Sequence, residues 1–96
     1  MKKLLPSETR LVGNWKFDGV DVEADETCQR IKWLTSEVLD EIAVSKSFGA
    51  WETLFQDTED GRFWERTYPQ GEMQGGGPPM LTLISEDVAR KKYDFS

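Results

Sequence analysis

The chain has 96 residues, 38% of them hydrophobic and 31% charged, and a formal net charge of −6. That length supports one domain with a modest core, the composition excludes a disordered chain, and the sign of the charge argues against a nucleic-acid binder, whose phosphate contacts need Lys and Arg. Histidine is absent and Cys28 is the single cysteine, which rules out a disulfide framework and an ordinary His/Cys zinc site.

The start, Met1-Lys2-Lys3-Leu4-Leu5, mimics a signal peptide, but Pro6 and Ser7-Glu8 end the apolar run after two residues. No stretch approaches membrane-spanning length, so a cytoplasmic protein without a membrane partner is expected. Residues 1–9 read as a loose lead-in. From Arg10 to Phe17 the pattern alternates, with Leu11, Gly13, Trp15 and Phe17 on one side. Asp18-Gly19 is a two-residue hairpin signal. Folding back there pairs Phe17 with Val20, Trp15 with Val22 and Gly13 with Ala24. On the polar side Lys16 then meets Asp21 and Asn14 meets Glu23.

Asp25 is a good N-cap for a helix expected from about Glu26 to Val44. Cys28, Ile31, Leu34, Val38, Leu39 and Ile42 form its apolar stripe, wide enough to sit on a sheet. Trp33 and Val44 project on the opposite face, among Glu26, Arg30, Glu37, Asp40 and Glu41. The segment from Trp51 to Tyr68 reads as an aromatic hairpin turning at Asp60-Gly61. With Thr58 to Gly61 as its loop, Asp57 faces Arg62, Phe55 lies opposite Trp64 and Trp51 opposite Tyr68. Those four aromatics share one face, taken as core. The other face carries Glu52, Leu54, Gln56, Phe63, Glu65 and Thr67, and is expected to be solvated and mostly acidic.

After the loop ending in Gly75-Gly76-Gly77-Pro78-Pro79, Met80 to Ile84 reads as a short strand. Ser85 caps a last helix, with Glu86 and Asp87 in its first turn and Arg90, Lys91 and Lys92 in its last, as the macrodipole favours. The expected architecture is α+β, in the order β-β-α-β-β-β-α. An antiparallel sheet of about five strands carries the long helix on one face, with a short C-terminal helix.

Few features invite chemistry. Glu52 and Glu65 fall on one face of the hairpin, as paired carboxylates do in glycoside hydrolysis, but an open sheet gives no sugar-sized cleft. They make either a solvated acidic face or a docking surface for a cationic partner. Trp33 is either an interface anchor or is covered by the lead-in or the tail. The triple glycine matches neither phosphate-binding spacing, and a structural loop explains it. Cys28, with no His to act as base, is a buried small hydrophobe and not a nucleophile. No D-x-D-x-D-G calcium loop occurs. Catalysis, metal and cofactor are therefore not expected. Between Asp18 and Asp60 twelve Asp or Glu face three Lys or Arg, a field suited to a basic partner.

Two resemblances add to this. Leu11-Val12-Gly13-Asn14-Trp15-Lys16 resembles the G-x-W opening strand of lipocalins, which would imply a small-ligand binding module. That barrel needs about eight strands or more, and the chain has about five. The second covers nearly the whole chain. Leu11 to Trp15, Ala24 to Ile31, Trp51-Glu52-Thr53-Leu54, Asp60 to Glu65, Thr67-Tyr68-Pro69-Gln70, Glu72-Met73 and Gly75 to Pro79 together resemble immunity protein family 27. Trp51-Glu52 and Trp64-Glu65 fit its W-E motifs, and Gly75 to Gly77 its glycine triplet. Gln74 stands where a His is expected in relatives.

The resemblance implies an α+β protein of bacterial polymorphic toxin systems. Such a protein performs no reaction and neutralises a cognate toxin, a nuclease being one candidate class, by stoichiometric binding. Toxin contacts are expected from Glu52, Phe63 and Glu65 on the sheet face, from Asp57, Glu59 and Asp60 at the hairpin tip, and from the loop around Glu72 and Met73. Trp33, Glu37 and Asp40 form the second candidate surface. Trp51, Trp64 and Tyr68 are assigned to the core, and oligomeric state is left open.

Overall fold

Local turn chemistry sets the central hairpin. In the computed structural model, which describes residues 3–17, 22–45, 52–68 and 77–93, Gly61 adopts φ +79°. Its N–H donates to the Asp57 carbonyl at 2.7 Å, while the Asp57 N–H donates to the Arg62 carbonyl at 2.9 Å. The Asp57 and Asp60 carboxylates accept from the Glu59 and Arg62 amides, each at 2.9 Å, as short acidic side chains do in turns. The loop is Thr58–Gly61, and the ladder beyond it has Phe55 opposite Trp64 and Gln56 opposite Phe63. This is the expected register. Trp51 lies outside the described residues.

Seven strands and two helices are described. They are β1 (Arg10–Val12), β2 (Trp15–Phe17), β3 (Val22–Ala24), α1 (Glu26–Trp33), β4 (Asp40–Val44), β5 (Thr53–Gln56), β6 (Phe63–Thr67), β7 (Met80–Ile84) and α2 (Glu86–Lys92). An antiparallel five-stranded sheet has the order β1-β7-β6-β5-β4, and β2 and β3 form a separate pair. The fold is α+β, as expected, but three local expectations are corrected.

The first correction concerns residues 10–17, which are two strands and not one. β1 pairs with β7, and β2 pairs with β3. The chain changes sheets at Gly13, whose N–H donates to the Pro79 carbonyl at 2.9 Å. A Cβ there would sit 2.5 Å from Cys28 Sγ and 2.7 Å from the Pro79 oxygen. Phe17 faces Val22 and Trp15 faces Ala24, two residues away from the expected pairing. A shift of two keeps every side chain on its face, so alternation could not distinguish the registers. The Asp25 N–H donating to the Asn14 carbonyl at 3.0 Å continues this pairing and carries it straight into the N-cap of α1.

The second correction concerns the long helix. Asp25 caps it, its carboxylate accepting the Cys28 N–H at 2.8 Å, but regular helix ends at Trp33. A wide π-helical turn over Leu34–Val38 follows. Thr35 Oγ1 and Ser36 Oγ donate to the carbonyls of Ile31 and Lys32 at 2.9 and 2.7 Å, a back-bonding that weakens and bends helices. The Leu39 N–H reaches the Leu34 carbonyl at 2.7 Å and Leu39 turns extended. Residues 40–44 then become the edge strand β4, with a bulge between Glu41 and Ala43. Helical spacing and burial on both sides of a strand placed the same apolar residues inside; the ladder offered by β5 decided for the strand.

The third correction is the acidic sheet face, which is covered. One core lies beneath α1 and joins Leu4, Leu11, Ile31, Leu34, Leu39, Phe55, Trp64 and Leu81. A second core on the opposite face joins Leu54, Phe63, Ala89 and Tyr93, with Ile42, Ala43 and Ile84 packed against it. α2, capped by Ser85 as expected, closes that face. The lead-in is not loose either. Leu4 is in the first core, and Arg30 grips Glu8 through two 2.7 Å hydrogen bonds and the Lys3 carbonyl at 2.8 Å. Among the described residues no helix is long and apolar enough to cross a membrane.

Candidate functional site

The residues expected at a docking surface divide into three groups. Glu52, Phe63 and Glu65 do not form an open face. Phe63 is 7% exposed and Glu65 9%. Glu65 Oε2 accepts the Tyr93 hydroxyl at 2.7 Å, and Lys92 Nζ lies 2.7 Å from both Glu52 and Glu65. Tyr93 itself is buried. Burial, and then the hydrogen bond to Glu65, push its hydroxyl far above the usual tyrosine range. Burial alone would lower the Lys92 ammonium, yet its hydrogen bonds to Glu52 and Glu65 outweigh this and the net shift is upward. The two carboxylates of the hairpin are therefore a latch that fastens α2 to the sheet. The alternation of the strands had placed them on one face correctly; what covered that face came from the far end of the chain.

At the hairpin tip, Asp57 is 5% exposed and belongs to the turn. Asp60 pairs with Arg62 at 2.6 Å. Its slight burial, the largest single influence, would raise its carboxyl, but the hydrogen bonds from Arg62 prevail and lower it. Glu59 is exposed and pairs with Lys3. Glu72 and Met73 lie outside the described residues.

The second candidate surface is the more open one. Glu37, Asp40 and Glu41 are exposed where the π-helical turn passes into the edge strand β4, and none of them makes an ion pair among the described residues. Trp33 is half-buried and packs against the first core, which includes Leu4. An edge strand bearing carboxylates resists pairing with a copy of itself, while leaving the charge available to a partner of opposite sign.

A cleft that sequence reasoning did not locate opens between α1 and the far end of the sheet. Its volume is about 420 Å³, and its walls include Trp15, Lys32, Thr35, Arg66, Tyr68 and Pro79. Arg66 lies over the rings of Phe55 and Tyr68, 5.3 and 5.8 Å from their centroids. The aromatic face of the hairpin thus grades from core at Trp64 into cleft at Tyr68. The G-x-W signal and the W-E-R run together held the clue. Cys28 also lines the cleft, and burial, followed by the hydrogen bond to Asp25, pushes its thiol pKa up.

Among the described residues no three His, Cys, Asp or Glu side chains are grouped to hold a metal ion. The lipocalin-like reading required a closed barrel, whereas the described strands form an open five-stranded sheet and a separate pair. Comparison with known proteins is brief. A family model described as Immunity protein 27 matches residues 17–85, from the end of β2 through β7. Comparison with curated proteins and with solved structures gives no match.

Proposed function

From the premise that the chain belongs to the Immunity protein 27 family, we propose that it binds and neutralises the toxin domain of a bacterial polymorphic toxin by stoichiometric contact, without catalysing a reaction. The family match over residues 17–85 carries this reading. The charge supports it: −6 overall, with the carboxylates of Glu37, Asp40 and Glu41, unpaired among the described residues, gathered at one edge of the sheet. A cytoplasmic toxin with a basic working surface, such as a nuclease, fits that field, because negative potential then lies where substrate phosphate would sit.

The docking face is assigned first to Trp33, Glu37, Asp40 and the neighbouring Glu41. Glu59 and Asp60 at the hairpin tip, with Glu72 and Met73 in the following loop, extend it. Glu52, Phe63 and Glu65 act indirectly, by holding α2 in place. The test is binding of the purified chain to the effector domain encoded by the adjacent toxin gene. Reversing Glu37 and Asp40 to Lys should slow association about tenfold or more at low salt. Stability should stay within about 0.5 kcal/mol, as for other exposed positions. Unchanged association would move the face elsewhere, and failure of the chain to protect cells producing that domain would end the reading.

A further inference from the structure

The cleft beside α1 holds a positive charge that no carboxylate among the described residues neutralises. Arg30 has Glu8, Arg62 has Asp60 and Arg90 has Glu86. Arg66, half-buried, has no carboxylate among the described residues. It makes a single long hydrogen bond there, 3.4 Å from Nη2 to Thr53 Oγ1, and its buried Nε has no partner. A guanidinium cannot shed its proton, and leaving one partly buried and unpaired is costly. In a chain with 18 carboxylates and 12 basic residues, a pairing partner would be easy to supply.

Stacking on Phe55 and Tyr68 offsets part of the cost. Contact with aromatic rings uses the flat side of a guanidinium, and its N–H edge is what binds a planar acceptor. A second cation, Lys32 on α1, lines the same cleft and has no ion pair among the described residues. Trp15, 40% exposed, forms another wall.

We propose that this cleft is an anion site that takes a carboxylate joined to a flat apolar body, with Arg66 and Lys32 holding the charge and the rings of Trp15 and Tyr68 the body. Its volume of about 420 Å³ lies within the range of small-ligand sites, about 300–1,000 Å³. The net charge of −6 repels anions at long range, so selection must come from short contacts. A bare inorganic anion gains too little, and a carboxylate with a ring attached gains from both parts of the cleft. This goes beyond the immunity reading and does not rest on it. The ring-bearing carboxylate belongs either to a free metabolite or to an aromatic C-terminal residue presented by the toxin; the chemistry is the same.

The test titrates the intact protein with indole-3-acetate, with the uncharged indole-3-acetamide and with inorganic phosphate, following backbone and indole N–H resonances by NMR. Indole-3-acetate should give saturable shifts centred on Trp15, Thr35 and Arg66. The amide and phosphate should each bind about tenfold more weakly or worse. Arg66→Lys should weaken the acid about tenfold, since the bidentate edge is lost while a charge remains. Lys32→Gln, at an exposed helical position that leaves the fold intact, should weaken it severalfold.

Equal binding of acid and amide overturns the proposal, as do shifts that map outside the cleft, unchanged affinity in Lys32→Gln, or no saturation by ~10 mM, a concentration beyond weak specific binding. Competition identifies the source. If indole-3-acetate hinders assembly with the toxin domain, the partner supplies the carboxylate; if the complex forms with the acid still bound, a free anion is the ligand. Either result upholds the site, and its failure leaves toxin binding untouched.

Discussion

Glu65→Ala should be among the most damaging single substitutions on the sheet, although Glu65 is an acidic residue in a hairpin that reads as solvent-facing. The carboxylate is 9% exposed and accepts the hydroxyl of Tyr93, itself 4% exposed, at 2.7 Å. Removing it strands that hydroxyl in the second core, a cost of about 1–3 kcal/mol. The lost pairing with Lys92, whose side chain is 36% exposed, adds less than about 1 kcal/mol. The sum is about 1–4 kcal/mol, a large part of the 5–15 kcal/mol typical of a whole domain. It corresponds to a drop in Tm of about 4–8 °C per kcal/mol for a chain of this size. Glu52→Ala provides the control. Glu52 shares Lys92, whereas the Tyr93 hydroxyl donates to Glu65, so Glu52→Ala should cost under about 1 kcal/mol. Urea unfolding of Glu65→Ala, Tyr93→Phe and the double variant completes the cycle, with a coupling of about 1.5–3 kcal/mol expected for a hydrogen bond to a charged group. If Glu65→Ala proves no worse than Glu52→Ala, or the two Glu65 and Tyr93 effects simply add, α2 is not latched to the sheet in this way.

Gly13→Ala should destabilise by about 1–3 kcal/mol, because the new methyl group meets Cys28 Sγ at 2.5 Å and the Pro79 carbonyl at 2.7 Å; Cys28→Ala in the same chain should recover part of the loss, and a Gly13→Ala melt at the wild-type temperature would contradict the close approach. Stability should also fall in alkali. Tyr93 and Lys92 both hold their protons more tightly when folded, so their contribution is complete below the ordinary values of 10.0 and 10.5 and is lost as pH rises beyond them. Chemical denaturation between about pH 8 and pH 11 should show this slope, and Tyr93→Phe should make it shallower. An identical slope in the variant would remove Tyr93 from the account.

Features that depend on a few neighbouring residues were legible in the sequence. The Asp60-Gly61 turn fixed the register from Phe55 to Trp64, Asp25 and Ser85 capped the helices they precede, and Met80 to Ile84 formed the expected strand. The family resemblance was also carried by short strings in order. What pairs with what at a distance was not legible. Alternation has a period of two, so it left the Phe17–Val22 pairing undetermined by two residues. Residues 39–44 fit a helical stripe and equally an edge strand with Leu39 in one core and Ile42 against the other, and pairing with β5 decided between them. The fate of Glu52, Phe63 and Glu65 hung on α2, whose covering residues are 28 to 40 positions away along the chain in the Tyr93–Glu65 and Lys92–Glu52 contacts. Local backbone preference acts within a turn or two and can be read letter by letter. Burial and charge neutralisation are properties of the assembled chain, so only the tertiary structure decided that Glu52 and Glu65 are taken up by α2, that Glu37, Asp40 and Glu41 have no ion pair among the described residues, and that Arg66 lines a cleft.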